Sequence, residues 1–183
     1  MRRLPWIVLL TLAACRIERI QPPPGRAAAA APTDSEVVAA LERYYDRFSR
    51  RAWREFRQSF WPSATIATRW QAPGDTAPRV HVQTLDQFLA ATRDGPDRLA
   101  VFEERMVHHE VRRYGDLATA WVTFRATLGL PDSVPATHYG VDAFVLLQEG
   151  GDWRILSLAF TPERAGDSLP RGAAALAPPR GVP

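Results

Sequence analysis

The apolar positions change period twice along the chain. After "TDSE", residues 33 to 36, Val37, Leu41, Tyr44 and Phe48 recur on one helical face, with Val38 and Tyr45 beside them. Thr33 and Glu36 have the spacing of a capping box, so a helix is predicted over about 34 to 49. Trp53, Phe56 and Phe60 keep helical spacing and predict a second helix over about 51 to 61, ended by Pro62. "SATIATRW" and "PRVHVQT" read as two short strands around the turn-rich loop "QAPGDTAP". "TLDQFLAATRDG" reads as a third helix, capped by Thr84, with Leu85, Phe88 and Leu89 facing inward and Gly95 stopping it.

From Leu99 onward the period is two. "AVFEERMVHHEVRR", "LATAWVTFRATL", "THYGVDAFVLLQ" and "WRILSLAFT" are four long strands joined by short loops, which predicts an antiparallel meander. In the third of these, Tyr139, Val141, Ala143, Val145 and Leu147 share one face, and Phe144 and Leu146 the other. Apolar residues on both faces imply that both are at least partly covered. The expected fold class is α+β, with three N-terminal helices packed on a strongly curved, mainly antiparallel sheet. The folded domain is placed at residues 33–164.

Composition changes the picture mainly at the ends. All 23 basic residues of the 183-residue chain are arginine, set against 20 acids, and arginines and acids alternate. No concentrated basic footprint of a nucleic-acid binder is present. The one cysteine, Cys15, excludes an internal disulfide framework. Arg2 and Arg3 precede the apolar run "LPWIVLLTLAA", residues 4 to 14. Eleven residues are too few to span a bilayer, which needs about twenty, and suit a secretory signal instead. Leu12, Ala13 and Ala14 leading into Cys15 resemble a bacterial lipobox. The resemblance implies a signal peptide over residues 1–14, lipidation of Cys15 and a cell-envelope location. Arg16 follows, not the aspartate of an inner-membrane retention signal, so the outer membrane is the expected address where the cell has one. Residues 15–32 read as the lipidated cysteine and a Pro/Ala-rich tether, with a reach of up to about 50 Å when extended. Residues 165–183, "AGDSLPRGAAALAPPRGVP", read as a disordered tail.

Two stretches carry a family resemblance. "RYGDLATAWVTFRATL" resembles the Gly-Asp-x-Ala strand pair of the nuclear transport factor 2-like superfamily, and "FVLLQEGGDWRILSLAFTP" resembles its last hairpin. With the order of elements, the resemblance covers most of residues 33–164. It implies a cone whose bent sheet wraps the first helix and leaves a pocket at its open end. It fixes fold better than function, because the superfamily includes enzymes, ligand binders and scaffolds. Its isomerase-like members use a tyrosine on the first helix and carboxylates around the pocket. Tyr44 and Tyr45 lie on that helix here. Where many members carry an acid after the second helix, "WPSATI" places Ser63, which cannot abstract a proton as a carboxylate does.

Asp142, Tyr44 and His138 are therefore the candidate catalytic residues, and Tyr44, Tyr45, Trp61, Trp121 and Asp142 the candidate ligand-binding ones. Asp142, if buried, would be raised in pKa and could shuttle protons. The plainer expectation is a salt bridge from Asp142 to an arginine such as Arg125, and core packing for the two tyrosines. "HHE", residues 108 to 110, places His108 and Glu110 on one strand face and His109 on the other; two ligands are too few for a structural zinc site. No metal or cofactor is expected. The expected function is a membrane-anchored, non-catalytic domain that binds a small apolar ligand or a protein partner at the envelope. The alternative is a pocket enzyme of isomerase, dehydratase or cyclase type using general acid/base groups. A homodimer through a sheet face, with Trp121 or Trp70 as anchor, is a further expectation.

Overall fold

The computed structural model describes residues 34–70, 76–164, 166–167 and 169–170, with Trp70 described by its backbone alone. The signal, Cys15, the tether and almost all of the tail lie outside the described residues. Helix α1 spans Asp34–Ser49 and buries Val37, Ala40, Leu41, Tyr44 and Tyr45, the face its spacing predicted. A short helix α2, Trp53–Arg57, follows. Strands β1 (Phe60–Trp70) and β2 (Arg79–Thr84) precede α3 (Leu85–Ala91), and two single 3₁₀ turns lead into β3 (Val101–Tyr114). Strands β4 (Leu117–Gly129), β5 (Ala136–Glu149) and β6 (Asp152–Pro162) complete the chain of elements.

The second helix is five residues long, not the predicted eleven. Trp61 precedes Pro62, and the residue before a proline is driven toward extended backbone. Phe60 then pairs with Ile155 of β6, and the Ile155 amide donates to the Ser59 carbonyl at 2.8 Å. Phe60 keeps its place against Phe56, with ring centroids 5.0 Å apart, so the spacing read as helical was a packing contact carried across a turn. Helix α3 opens as expected. Thr84 Oγ1 accepts from the Gln87 amide at 3.2 Å, and Gln87 Oε1 accepts from the Thr84 amide at 2.9 Å.

The six strands form one sheet in the order β2-β1-β6-β5-β4-β3. The predicted meander β3 to β6 is antiparallel throughout, and β1 joins it in parallel along β6. Register shifts between Met106 and His108, between Val145 and Leu146, and between Phe60 and Thr65 mark local irregularities that bend and twist the sheet. Side chains of Ala118, Ala120, Val122, Phe124, Phe144 and Leu146 form the covered face, where α1 packs. Tyr44 sits in its centre, with ring centroids 5.2 Å from Phe56 and 5.3 Å from Phe144. At the end of α1, Ser49 Oγ donates to the Glu104 carbonyl at 2.6 Å and accepts from the Glu104 amide at 2.8 Å, which fixes the helix against β3. Arg51 adds a second tie. Its Nε donates to the Pro96 carbonyl and its Nη2 to that of Leu99, at 3.0 and 2.6 Å.

Candidate functional site

The alternation of β5 turns Asp142 inward, on the face shared with Phe144 and Leu146. Asp142 is 2% exposed and Tyr45 3% exposed. The Tyr45 hydroxyl donates to Asp142 Oδ2 at 2.5 Å, closing a bond between α1 and the sheet. Burial pushes the Asp142 carboxyl up to about 7, although the hydrogen bond from Tyr45 works in the opposite direction. Half-buried Glu104 also sits on the inner face of β3, between Phe102 and Met106. Burial and the nearby charge of Asp142 raise its carboxyl well above the usual range. The same burial, with Asp142 and Glu104 in range, lifts both Tyr44 and Tyr45. The result is an acidic pair flanked by two tyrosines inside an apolar core. Carboxyls raised in this way can each hold a proton and give it up or take it back.

The structure thus brings Asp142 and Tyr45 together, and Tyr44 with them as a packing neighbour. It does not bring His138. That residue lies four positions back on β5, opposite Ala126, and is exposed. The expected pairing of Asp142 with Arg125 is also absent. Asp142 stands opposite Val122, three residues before Arg125, so the two side chains leave opposite faces of the sheet. Arg125 instead approaches Glu103, at 4.0 Å. His108 and Glu110 do share a face, 3.8 Å apart, and His109 lies on the other, opposite Val122. Among the described residues no group of three or more metal-ligating side chains converges. Trp61 is half-buried under the Arg154 guanidinium, 5.5 Å from its ring centroid, apart from the acid pair. Glu104 was missed, although the alternation Phe102, Glu104, Met106 carried its inward direction.

Trp121 lies on the opposite face of the sheet and belongs to a different feature. It is 52% exposed. The register aligns Glu110, Trp121, Ala143, Ala159, Ala67 and Val82 in one row across all six strands. Three adjacent alanines leave a low floor between Trp121 and Val82. A groove of about 720 Å³ runs over this floor, with Arg112, Thr119, Val145 and Ser157 along one side. Pro170 also lines it. The sequence held this signal in Ala67, Ala143 and Ala159, but only the register shows that they adjoin.

A helix wrapped by a six-stranded curved sheet, with an inward acid and tyrosine, defines an α+β cone of the nuclear transport factor 2-like fold. Solved structures bear this out. A nuclear transport factor 2-like protein from Cytophaga hutchinsonii matches with a TM-score of 0.57 at 10% identity, over 72% of this chain and 99% of that one. A superfamily protein from Salmonella enterica serovar Typhimurium matches at 0.57 and 13% identity, over 74% and 96%. A candidate scytalone dehydratase from Novosphingobium aromaticivorans matches at 0.59 and 7% identity, over 76% and 90%. No family model and no curated protein matches the sequence.

Proposed function

We propose that this chain is a lipid-anchored binding domain of the cell envelope, whose groove over the alanine floor holds an extended apolar segment of a protein partner. The observation that carries this reading is the row from Trp121 to Val82: an exposed aromatic and an exposed aliphatic side chain on either side of three small residues. Small ligands are generally taken into concave sites that bury most of their surface. A shallow groove crossing several strands suits an extended chain better, with Trp121 as the aromatic anchor. The lipobox-like sequence before Cys15 supports the envelope placement and is independent of the groove.

The test uses bis-ANS as an apolar probe of the purified chain, compared with Trp121→Glu. The variant is expected to bind at least fivefold more weakly while its thermal unfolding midpoint is unchanged. Equal binding by both proteins would remove the groove as the site. A second reading, a pocket enzyme, is supported by the Asp142–Tyr45 bond and the raised Asp142 carboxyl. Against it stands their burial, since a reacting molecule must reach within hydrogen-bond distance of the acid. Perturbation of the Asp142 carboxyl carbon resonance by added apolar probes, with Trp121 unaffected, would favour that reading over the first.

A further inference from the structure

Of the two edges of the sheet, one is guarded and one is open. Strand β3 forms the guarded edge. The amide and carbonyl of its Glu104 are taken by Ser49 Oγ at the end of α1. Its register breaks between Met106 and His108, and Glu103, Arg105, Glu110, Arg112 and Arg113 load it with charge. Such devices keep other chains from adding to an edge. Strand β2 has none of them. It holds no proline and no acid, and it pairs with β1 through six unbroken positions. Among the described residues no strand lies beyond it. All of its residues but Gln83 are exposed, with Val80 at 75% and Val82 at 61%. We propose that β2 docks a second copy of this chain, the two β2 strands pairing antiparallel about a two-fold axis at His81 to join both sheets into one. This goes beyond the reading above and does not depend on it.

The strand fits its own copy. Val80 and Val82 share the outer face, since side chains alternate and Val82 stands in the outer row beside Ala67. With the axis at His81, Val80 of each copy stands opposite Val82 of the other. Both valines then find a β-branched partner, the kind of cross-strand pair that stabilises a ladder. Moving the axis to Val80 or Val82 leaves one valine pair in place of two. Charge agrees with this register. Arg79 faces Gln83 of the second copy, and the two arginines are held about 14 Å apart, four residues at about 3.4 Å each. Closure favours a second copy over an unrelated strand. A two-fold contact uses up both open edges at once and leaves only the guarded β3 edges outside. The ladder is short and belongs to the small, reversible class of interface, so a dissociation constant on the order of 0.1 mM is expected.

The experiment uses the full chain carrying Cys15→Ser. Sedimentation from about 10 µM to about 1 mM is expected to pass from monomer to dimer. Over the same range, amide exchange is expected to slow at every second residue of β2, because alternate N–H groups face the open edge, and to stay constant along β3. Val80→Lys and Val82→Glu are each expected to weaken the dimer at least tenfold, as a charge on an edge does. Mixed in equal amounts, the two variants are expected to recover it, because an axis at His81 sets the new ammonium against the new carboxylate. Trp121→Glu, which tests the groove, is expected to leave the dimer intact, so the two proposals fail separately. A monomer throughout, uniform exchange along β2, or no recovery in the mixture would overturn the pairing. So would a dimer that Trp121→Glu dissolves and Val80→Lys leaves intact, which would put the contact on the sheet face.

Discussion

At the scale of single residues, Asp142 is a carboxyl held in an environment far from its preference. A carboxyl belongs near pH 4 when solvated, and here burial moves it to about 7. The sign of the consequence follows from linkage. Between pH 4 and 7 the folded protein keeps a proton on Asp142 that the unfolded chain releases. Stability is therefore full below about 4, falls as pH rises through that window, and levels off above about 7. The loss is bounded at about 4 kcal/mol, three pKa units at about 1.4 kcal/mol each. Asp142→Asn is expected to flatten this dependence, read as urea midpoints from pH 4 to 8; a parallel decline in both proteins would count against the assignment. Tyr45 holds the ionised form, so Tyr45→Phe should move the carboxyl still higher and steepen the fall near neutrality. That Asp142 is buried was a conditional expectation in the sequence. Its partner was not legible, because the choice between Tyr45 and Arg125 depends on which face of β5 turns inward. A strand apolar on both faces does not announce that choice.

The elements themselves were more readable. The face of α1, the capping box of α3 and the four strands of the meander all follow from period and caps. The exceptions lie where tertiary contacts overrule local spacing, as at Phe60, which keeps a helix-like separation from Phe56 but enters β1 to pair with β6. Gly140 on β5 is another such place. A Cβ there would lie 2.2 Å from the Phe124 ring and 2.7 Å from the Thr161 carbonyl. The ring therefore occupies the space over β5 that a side chain would take. Gly140→Ala is expected to lower stability by about 1–3 kcal/mol, the range for an overpacked core. Adding Phe124→Leu should return only part of it, because the carbonyl stays where it is. Chemical denaturation of the two variants measures both effects, and a fully tolerated Gly140→Ala would show that β5 and β6 can move apart.

For the whole molecule, the two faces of one sheet have different surroundings. One face wraps α1 and buries Asp142; the other carries the groove. Sequence reasoning placed Trp121 and Asp142 in one candidate site, because alternation was known but not which neighbours it aligned. Cone and meander were recognisable from the order of elements, whereas the groove needed five strand registers at once. The proposed anchor at Cys15 is a separate matter at this scale. A durable attachment takes more than one acyl chain, since each buried methylene contributes only about 0.8 kcal/mol. A Cys15→Ser precursor is expected to leave the membrane fraction for the soluble one on cell fractionation, and unchanged partitioning would defeat the lipidation.

The parallel seam between β1 and β6 has a consequence for how the chain is made. Phe60 meets Ile155 only after 94 intervening residues have been synthesised. Until Asp152–Pro162 emerges, β1 and β5 each present a bare hydrogen-bonding edge, of the kind that recruits other chains. Contacts so distant in sequence also slow the search for the native state. A product cut short before residue 152 would thus be a sticky intermediate, not a smaller version of the cone.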